Sequence, residues 1–262
     1  MKHYSFLLIL FMALCLSLGN GNKAQAGSLQ TRGVWVSCFE FEELGLKDKT
    51  EAQFRANANK IFATIRANGC NTVYFHVRAY DDAIYPSSVA GFSKYISSDG
   101  KAPGYDPLKI LVSLADSHKL KIHAWMNPYR VSSTKILDPA SETTTVRIVN
   151  QVKEIINRYA VDGIHFDDYF YPTNIKKYKK VPAATRRQNV NVMVRKVYQT
   201  VKQKKKSLKF GISPAGDITY CEKIGADVRT WLSQSGYVDY IIPQIYWSNN
   251  YIMSGKKTAL FN

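Results

Sequence analysis

The chain has little cysteine, four residues in 262, and no two are spaced Cys-x-x-Cys. That excludes a zinc knuckle or a disulfide framework. Cys15 falls in an apolar N-terminal stretch, so at most one bridge could form among Cys38, Cys70 and Cys221. No Gly-rich loop follows the first apolar strand pattern, which argues against a nucleotide-binding crossover. No Ser or Cys lies in a nucleophile elbow, and no His/Cys/Asp grouping has metal-ligand spacing. The sequence therefore calls for no metal and no cofactor. Long apolar runs are missing beyond Phe6 to Leu18, and that run is itself too short for a membrane anchor. Acidic residues are scarce as well: 20 Asp and Glu face 36 Lys and Arg, for a net charge of +16.

What is present begins with an address. Lys2 and His3 lead into the apolar run, and Ala24-Gln25-Ala26 is a small-x-small cleavage site. Residues 1–26 thus read as a secretory signal peptide, followed by one domain over 27–262. A large Leu14 before Cys15 argues against a lipid anchor. The expected product is exported (periplasmic, cell-envelope or extracellular) and not inserted in a membrane. Removing Lys2 and Lys23 lowers the charge by only two, so the product stays strongly basic. A basic exported protein attracts anionic polymers. Lys202 with Lys204-Lys205-Lys206, and Lys176, Lys177, Lys179 and Lys180, concentrate that charge, although a solvated surface explains such runs equally well. Nucleic acid is a poor partner for an exported chain with no binding motif.

From Arg32 onward, apolar strands alternate with amphipathic helices. Strand patterns cover 33–36, 72–77, 121–126, 163–166, 209–213 and 240–246, the last interrupted by Pro243. Helical spacing covers about 51–68, 107–118, 144–159, 184–204 and 227–234, with Asp106 as an N-cap before Pro107. Strict alternation argues for a parallel sheet covered by helices. Polar and aromatic residues gather after several different strands, the pattern by which (β/α)8 barrels build their sites. The expected fold class is therefore α/β, of the TIM-barrel type. Six strand–helix units are legible where such a barrel needs eight, so the domain reads as C-terminally incomplete, and the tail from Ser254 shows no strand pattern.

The chemistry concentrates at Asp162-Gly163-Ile164-His165-Phe166-Asp167-Asp168-Tyr169-Phe170-Tyr171-Pro172. Two carboxylates beside a row of rings, where a buried strand meets solvent, can hold a sugar and attack or protonate its glycosidic bond. A turn whose Asp side chains cap backbone N–H groups would explain one carboxylate; it leaves the rings unexplained. Asp167, in register with the strand, is the first choice for nucleophile or general base, with Asp168 next. Asp217, after the fifth strand, is the first candidate acid, followed by Asp81 and Asp82. His76 and Arg78 alternate on the second strand and could bind sugar or pair with Asp167. Asn127 and Tyr129 follow the third strand, Tyr169 the fourth, and Gln244, Tyr246 and Trp247 the sixth; all are candidate substrate contacts. Trp35, Trp125 and Trp231 read as core. A substrate N-acetyl group could replace one carboxylate.

Six of these stretches resemble the glycosyl-hydrolase-like family 10 of exported bacterial proteins: 32–36, 71–78 (Asn-Thr-Val-Tyr-Phe-His-Val-Arg), 124–130 (Ala-Trp-Met-Asn-Pro-Tyr-Arg), 162–172, 211–214 (Gly-Ile-Ser-Pro) and 243–247 (Pro-Gln-Ile-Tyr-Trp), in the family's order. The resemblance implies a (β/α)8 barrel and a glycosidase acting on a polysaccharide, with some members cutting peptidoglycan strands stripped of their stem peptides. The expected substrate is an anionic amino-sugar glycan of the bacterial cell wall. There is a looser likeness to the family 18 chitinases, but Tyr169 stands where their catalytic Glu would be and His165 replaces an Asp. Two other readings are a glycan-binding barrel without catalysis and a metal-dependent polysaccharide deacetylase using His76, His123 and Asp167.

Overall fold

The computed structural model describes residues 30–167, 170–172, 176–248, 252–253 and 256–257. The expected signal peptide, Asp168 and Tyr169 lie outside the described residues. Thr31–Asn262 is one unit, built on a six-stranded sheet: β1 (Gly33–Val36), β2 (Thr72–Arg78), β3 (Lys121–Met126), β4 (Gly163–Asp167), β5 (Lys209–Ser213) and β6 (Tyr240–Ile241). They lie side by side in chain order, and every pairing is parallel. Each return crosses through a helix, as a parallel ladder requires.

The crossover helices are α1 (Glu51–Ala67), α2 (Pro107–Ser117), α3 (Glu142–Arg158) and α4 (Ala183–Lys204), with short α5 (Ile218–Lys223) and α6 (Val228–Ser233) before β6. Local chemistry sets their starts. Thr50 and Gln53 form a capping box on α1, Asp106 caps α2 ahead of Pro107, and Ser141 caps α3. Phe54, Ala58, Phe62 and Ile65 on α1, and Val190, Met193, Val194, Val197 and Val201 on α4, make the apolar stripes that settle on the sheet. The sixth strand is shorter than its sequence pattern: pairing stops at Ile241, and only an isolated bridge, Ala215 to Gln244, continues it past Pro243. The tail, where no strand pattern is legible, carries a small antiparallel ladder of Ile252–Met253 with Lys256–Lys257.

The sheet is curled. Adjacent strands sit about 4.8 Å apart, so β2 and β6, four steps apart, would be separated by about 19 Å on a flat sheet. The rings of Tyr74 on β2 and Tyr240 on β6 lie with centroids 6.4 Å apart. Trp35 on β1 likewise reaches His165 on β4, at 5.8 Å. Both contacts cross the concave face, so the six strands form an arc of barrel wall. Glycines make room for the rings: a Cβ at Gly211 would come within 2.1 Å of Tyr240, and one at Gly163 within 2.6 Å of His123. On the convex face Val73, Phe75, Val77, Ile122, Ala124, Met126, Ile164, Phe166, Phe210 and Ile212 join the helices in one apolar core.

Candidate active site at the strand ends

Parallel strands deliver all their carboxyl ends to one rim, and alternation decides which side chains face the concavity. His165 and Asp167 share the concave side of β4, opposite core residues Ile164 and Phe166. Asp167 is half-buried at the end of the strand. The Gln244 amide, Nε2, donates to Asp167 Oδ1 at 2.5 Å and to the Ser213 carbonyl at 3.0 Å. Gln244, expected to touch substrate, therefore braces the carboxylate. Ser213 Oγ in turn donates to the Ile242 carbonyl at 2.7 Å, tying β5 to the segment that carries Gln244. Asp167 is thus oriented by Gln244, which is itself held by β5.

His76 and Arg78 share a face of β2, and both are engaged within the protein. Arg78 is fully buried and pairs with Asp81 at 2.7 Å, while its Nη1 donates to the carbonyls of Asn127 (3.2 Å) and Pro128 (3.4 Å). Arg147 of α3 grips both oxygens of the same Asp81 at 2.8 and 2.9 Å. Burial alone would raise the Asp81 carboxyl, but the Arg147 hydrogen bonds and the Arg78 charge outweigh it and hold the group below its ordinary value. Asp81 is an anion at neutral pH that fixes the loop after β2, a role set by α3 and invisible in local spacing.

His76 stacks face to face on Trp125, centroids 3.8 Å apart, and its Nδ1 accepts the Cys38 N–H at 3.4 Å. Burial pulls it down to about 3, so it is neutral, with its proton on Nε2. Asn127 is half-buried at the rim, its Oδ1 accepting from Trp125 Nε1 at 3.1 Å. Tyr129 is fully buried against Phe170 in the core below the rim and offers no ring to solvent. Tyr246 is 75 % exposed. The half-buried Trp247 ring covers Gly216, where a Cβ would come within 2.7 Å of it. Asp217 Oδ1 accepts the Thr219 and Tyr220 N–H groups, capping α5. Trp231 and Trp125 are buried, as expected, Trp125 against His76 on the concave side, where Trp35 is only half-buried.

Below the rim a hydrogen-bonded relay crosses the concavity. Trp35 Nε1 donates to His165 Nε2 at 3.4 Å, which leaves the His165 proton on Nδ1, 3.1 Å from the Tyr240 hydroxyl. Tyr240's own proton is left for His123 Nδ1, 2.7 Å away. Burial keeps every member neutral: His123 is pulled down to about 4, His165 falls well below its ordinary value, and the deep Tyr240 hydroxyl is pushed up. Nδ1 of His76 and Nδ1 of His123 are each engaged within the protein. Among the described residues no three His, Cys, Asp or Glu side chains form a metal-holding group. Nor do the described cysteines bridge: Cys38, Cys70 and Cys221 are free thiols.

The glycosyl hydrolase-like 10 family profile matches residues 30–136 and 129–259. The chain is 30 % identical to glycosyl hydrolase YngK of Bacillus subtilis over 84 % of its length and 54 % of the relative's. It is 33 % identical to glycosyl hydrolase DigH of Escherichia coli over 85 % of its length and 67 % of that protein. It therefore spans about half the length of the first and two thirds of the second. Among solved structures, the glycoside hydrolase domain of PgaB from Bordetella bronchiseptica superposes with a TM-score of 0.57 at 11 % identity, covering 80 % of this chain and 73 % of that one. A Paenibacillus cycloisomaltooligosaccharide glucanotransferase gives 0.55 at 13 % identity, covering 80 % and 33 %. At those identities the two structures speak to the fold alone.

Proposed function

The chain belongs to the glycosyl hydrolase-like 10 family, and from that premise we propose that it is an exported glycoside hydrolase cutting an amino-sugar polysaccharide, the glycan strands of the bacterial cell wall. The observation that carries the reading is Asp167, a half-buried carboxylate at the carboxyl edge of a curled parallel sheet, oriented by Gln244 at 2.5 Å. A carboxylate so placed can attack an anomeric carbon or activate a water beside it. The Gln244 amide, itself anchored on the Ser213 carbonyl, fixes its direction, which is the form preorganisation takes in a rigid site.

Such a reaction also needs a proton donor. Asp81 does not suit that part, because two arginines hold it as an anion. Asp217 is committed through Oδ1 to the start of α5. Asp82, half-buried in the loop after β2, takes the Tyr80 N–H on Oδ1; Asp168, next to Asp167, remains as a candidate, together with the substrate's own N-acetyl group. The basic surface suits an anionic polymer: Lys204, Lys205 and Lys206 are exposed at the end of α4, although Lys202 is tied to Asp239 at 2.6 Å.

The test is incubation of the full-length protein with glycan strands stripped of their stem peptides, followed by assay for new reducing ends. Asp167→Asn should lower the rate by about 10²–10⁴-fold. Wild-type protein that binds the strands and releases no reducing ends would make it a glycan-binding barrel. Activity that survives Asp167→Asn would move the catalytic role to another residue.

A further inference from the structure

A second feature of the rim stands after β1 and β2, away from Asp167 in sequence. Phe39 is 66 % exposed, yet the turn that carries it is held from both sides. Ser37 Oγ accepts the Phe39 N–H, and Glu40 Oε2 accepts the Ser37 N–H at 2.9 Å. On one side of Phe39, the Cys38 N–H is anchored on His76 of β2. On the other, the fully buried Phe41 stacks on Phe75 at 5.2 Å. The exposure of Phe39 is thus built into the fold.

Two more rings complete the group. Tyr95 meets Phe39 edge to face at 5.6 Å and 90°, and Tyr80 lies parallel to Tyr95 at 6.2 Å and 26°. Both tyrosines are half-buried. Asp82 closes the cluster: its Oδ1 accepts the Tyr80 N–H at 2.9 Å. Burial raises the Tyr95 hydroxyl first, with Cys38, Tyr80 and Asp82 adding to it, so Tyr95 remains a neutral donor. A singly exposed Phe is ordinary on a protein surface. Three rings in a row, Phe39 on Tyr95 and Tyr95 on Tyr80, flanked by a carboxylate, form a shaped apolar platform with polar edges, the composition of a ligand subsite.

We propose that Phe39, Tyr80, Tyr95 and Asp82 form a sugar-binding subsite that holds a pyranose of the glycan at a distance from the bond being cut. The C–H face of the ring lies on Phe39, and its hydroxyls reach the Tyr95 hydroxyl and the Asp82 carboxylate. Trp35 and His165 join β1 to β4 across the concavity, so the loop after β1 and Asp167 rise on facing sides of one hollow and a single glycan strand can touch both. The identity of the sugar rests on the glycoside-hydrolase reading; the platform itself does not.

The experiment measures the affinity of full-length protein, in an Asp167→Asn background, for peptide-free glycan strands, with and without Phe39→Ala or Phe39→Trp. Phe39 makes one ring contact and is mostly exposed, so its truncation spares the fold. Phe39→Ala should weaken binding about three- to tenfold, the scale of one aromatic contact, and Phe39→Trp should keep it. A reducing-end assay on the same strands with Asp167 intact separates the two readings. Binding that depends on Phe39, without cleavage, would keep the subsite and sink the hydrolase. Cleavage with equal affinity in Phe39→Ala would do the reverse. Protein that binds no strands would overturn the subsite as well.

Discussion

The two faces of the sheet are made by the same six strands and differ in kind. On the convex face, side chains such as Phe75, Ile122, Ile164, Phe166 and Ile212 are aliphatic or Phe, are all but fully buried, and interlock with the helices. On the concave face Trp35, Tyr74, His76, His123, Trp125, His165 and Tyr240 are aromatic and polar, joined by stacking and by hydrogen bonds across the hollow. One face is held by close packing, which depends on volume. The other is held by ring stacking and directed hydrogen bonds, which depend on direction and on protonation. Asp167 belongs to the second face, so its surroundings are the directional ones.

That contrast predicts different responses to loss. Phe166 is fully buried on the convex side, its ring edge-on to Phe210 at 5.0 Å. Phe166→Ala should lower stability by about 3–5 kcal/mol, the transfer of a large side chain plus the cavity left behind. Urea unfolding followed by far-UV circular dichroism measures it. A loss under about 1 kcal/mol would mean the convex face collapses around the gap and is not close-packed. On the concave side, Tyr240→Phe removes one oxygen and almost no volume. It leaves His165 Nδ1–H and His123 Nδ1 without their shared partner, for a loss of about 2 kcal/mol. A neutral result would show that water replaces the hydroxyl and that the relay is not sealed.

The two faces were also unequally legible. Alternation in the strands and apolar stripes in the helices set out the order of elements, and the boundaries of β3, α2 and α4 fall within a residue or so of their patterns. Those patterns are written by the convex face, where burial follows hydrophobicity directly. The concave face hides better. Trp35 carries no local mark that distinguishes a core Trp from one lining a hollow, because curvature comes from contacts between strands several steps apart. Gln244 onto Asp167, and Arg147 onto Asp81, join residues 77 and 66 positions apart, beyond any spacing rule. Asp217 was legible as an acid after a strand, but α5, the short helix it caps, is too brief to show periodicity.

The effect that best isolates the concave face is its response to acid. His76 is pulled down to about 3 and His123 to about 4, and His165 is lowered further by burial with help from the other two. For His123 burial outweighs the opposing pull of Asp162 and Asp239. An unfolded chain titrates each histidine near 6.5. Above that value folded and unfolded states both hold neutral imidazoles, and the full stability is present. As pH falls below about 6.5 the unfolded state binds protons that the folded state refuses, so stability drops by up to about 1.4 kcal/mol per pH unit for each of the three. The drop continues until pH reaches the folded values near 4 and 3. Carboxylates such as Asp81, held low in the folded protein, begin to contribute only near and below about 4.5. The window from about 6.5 to 5 therefore reports chiefly the histidines. Urea midpoints measured across it should fall steadily with pH. A flat profile there would mean the three imidazoles reach water in the folded protein, and the hollow below Asp167 would then be an open, wet cleft instead of a closed polar core.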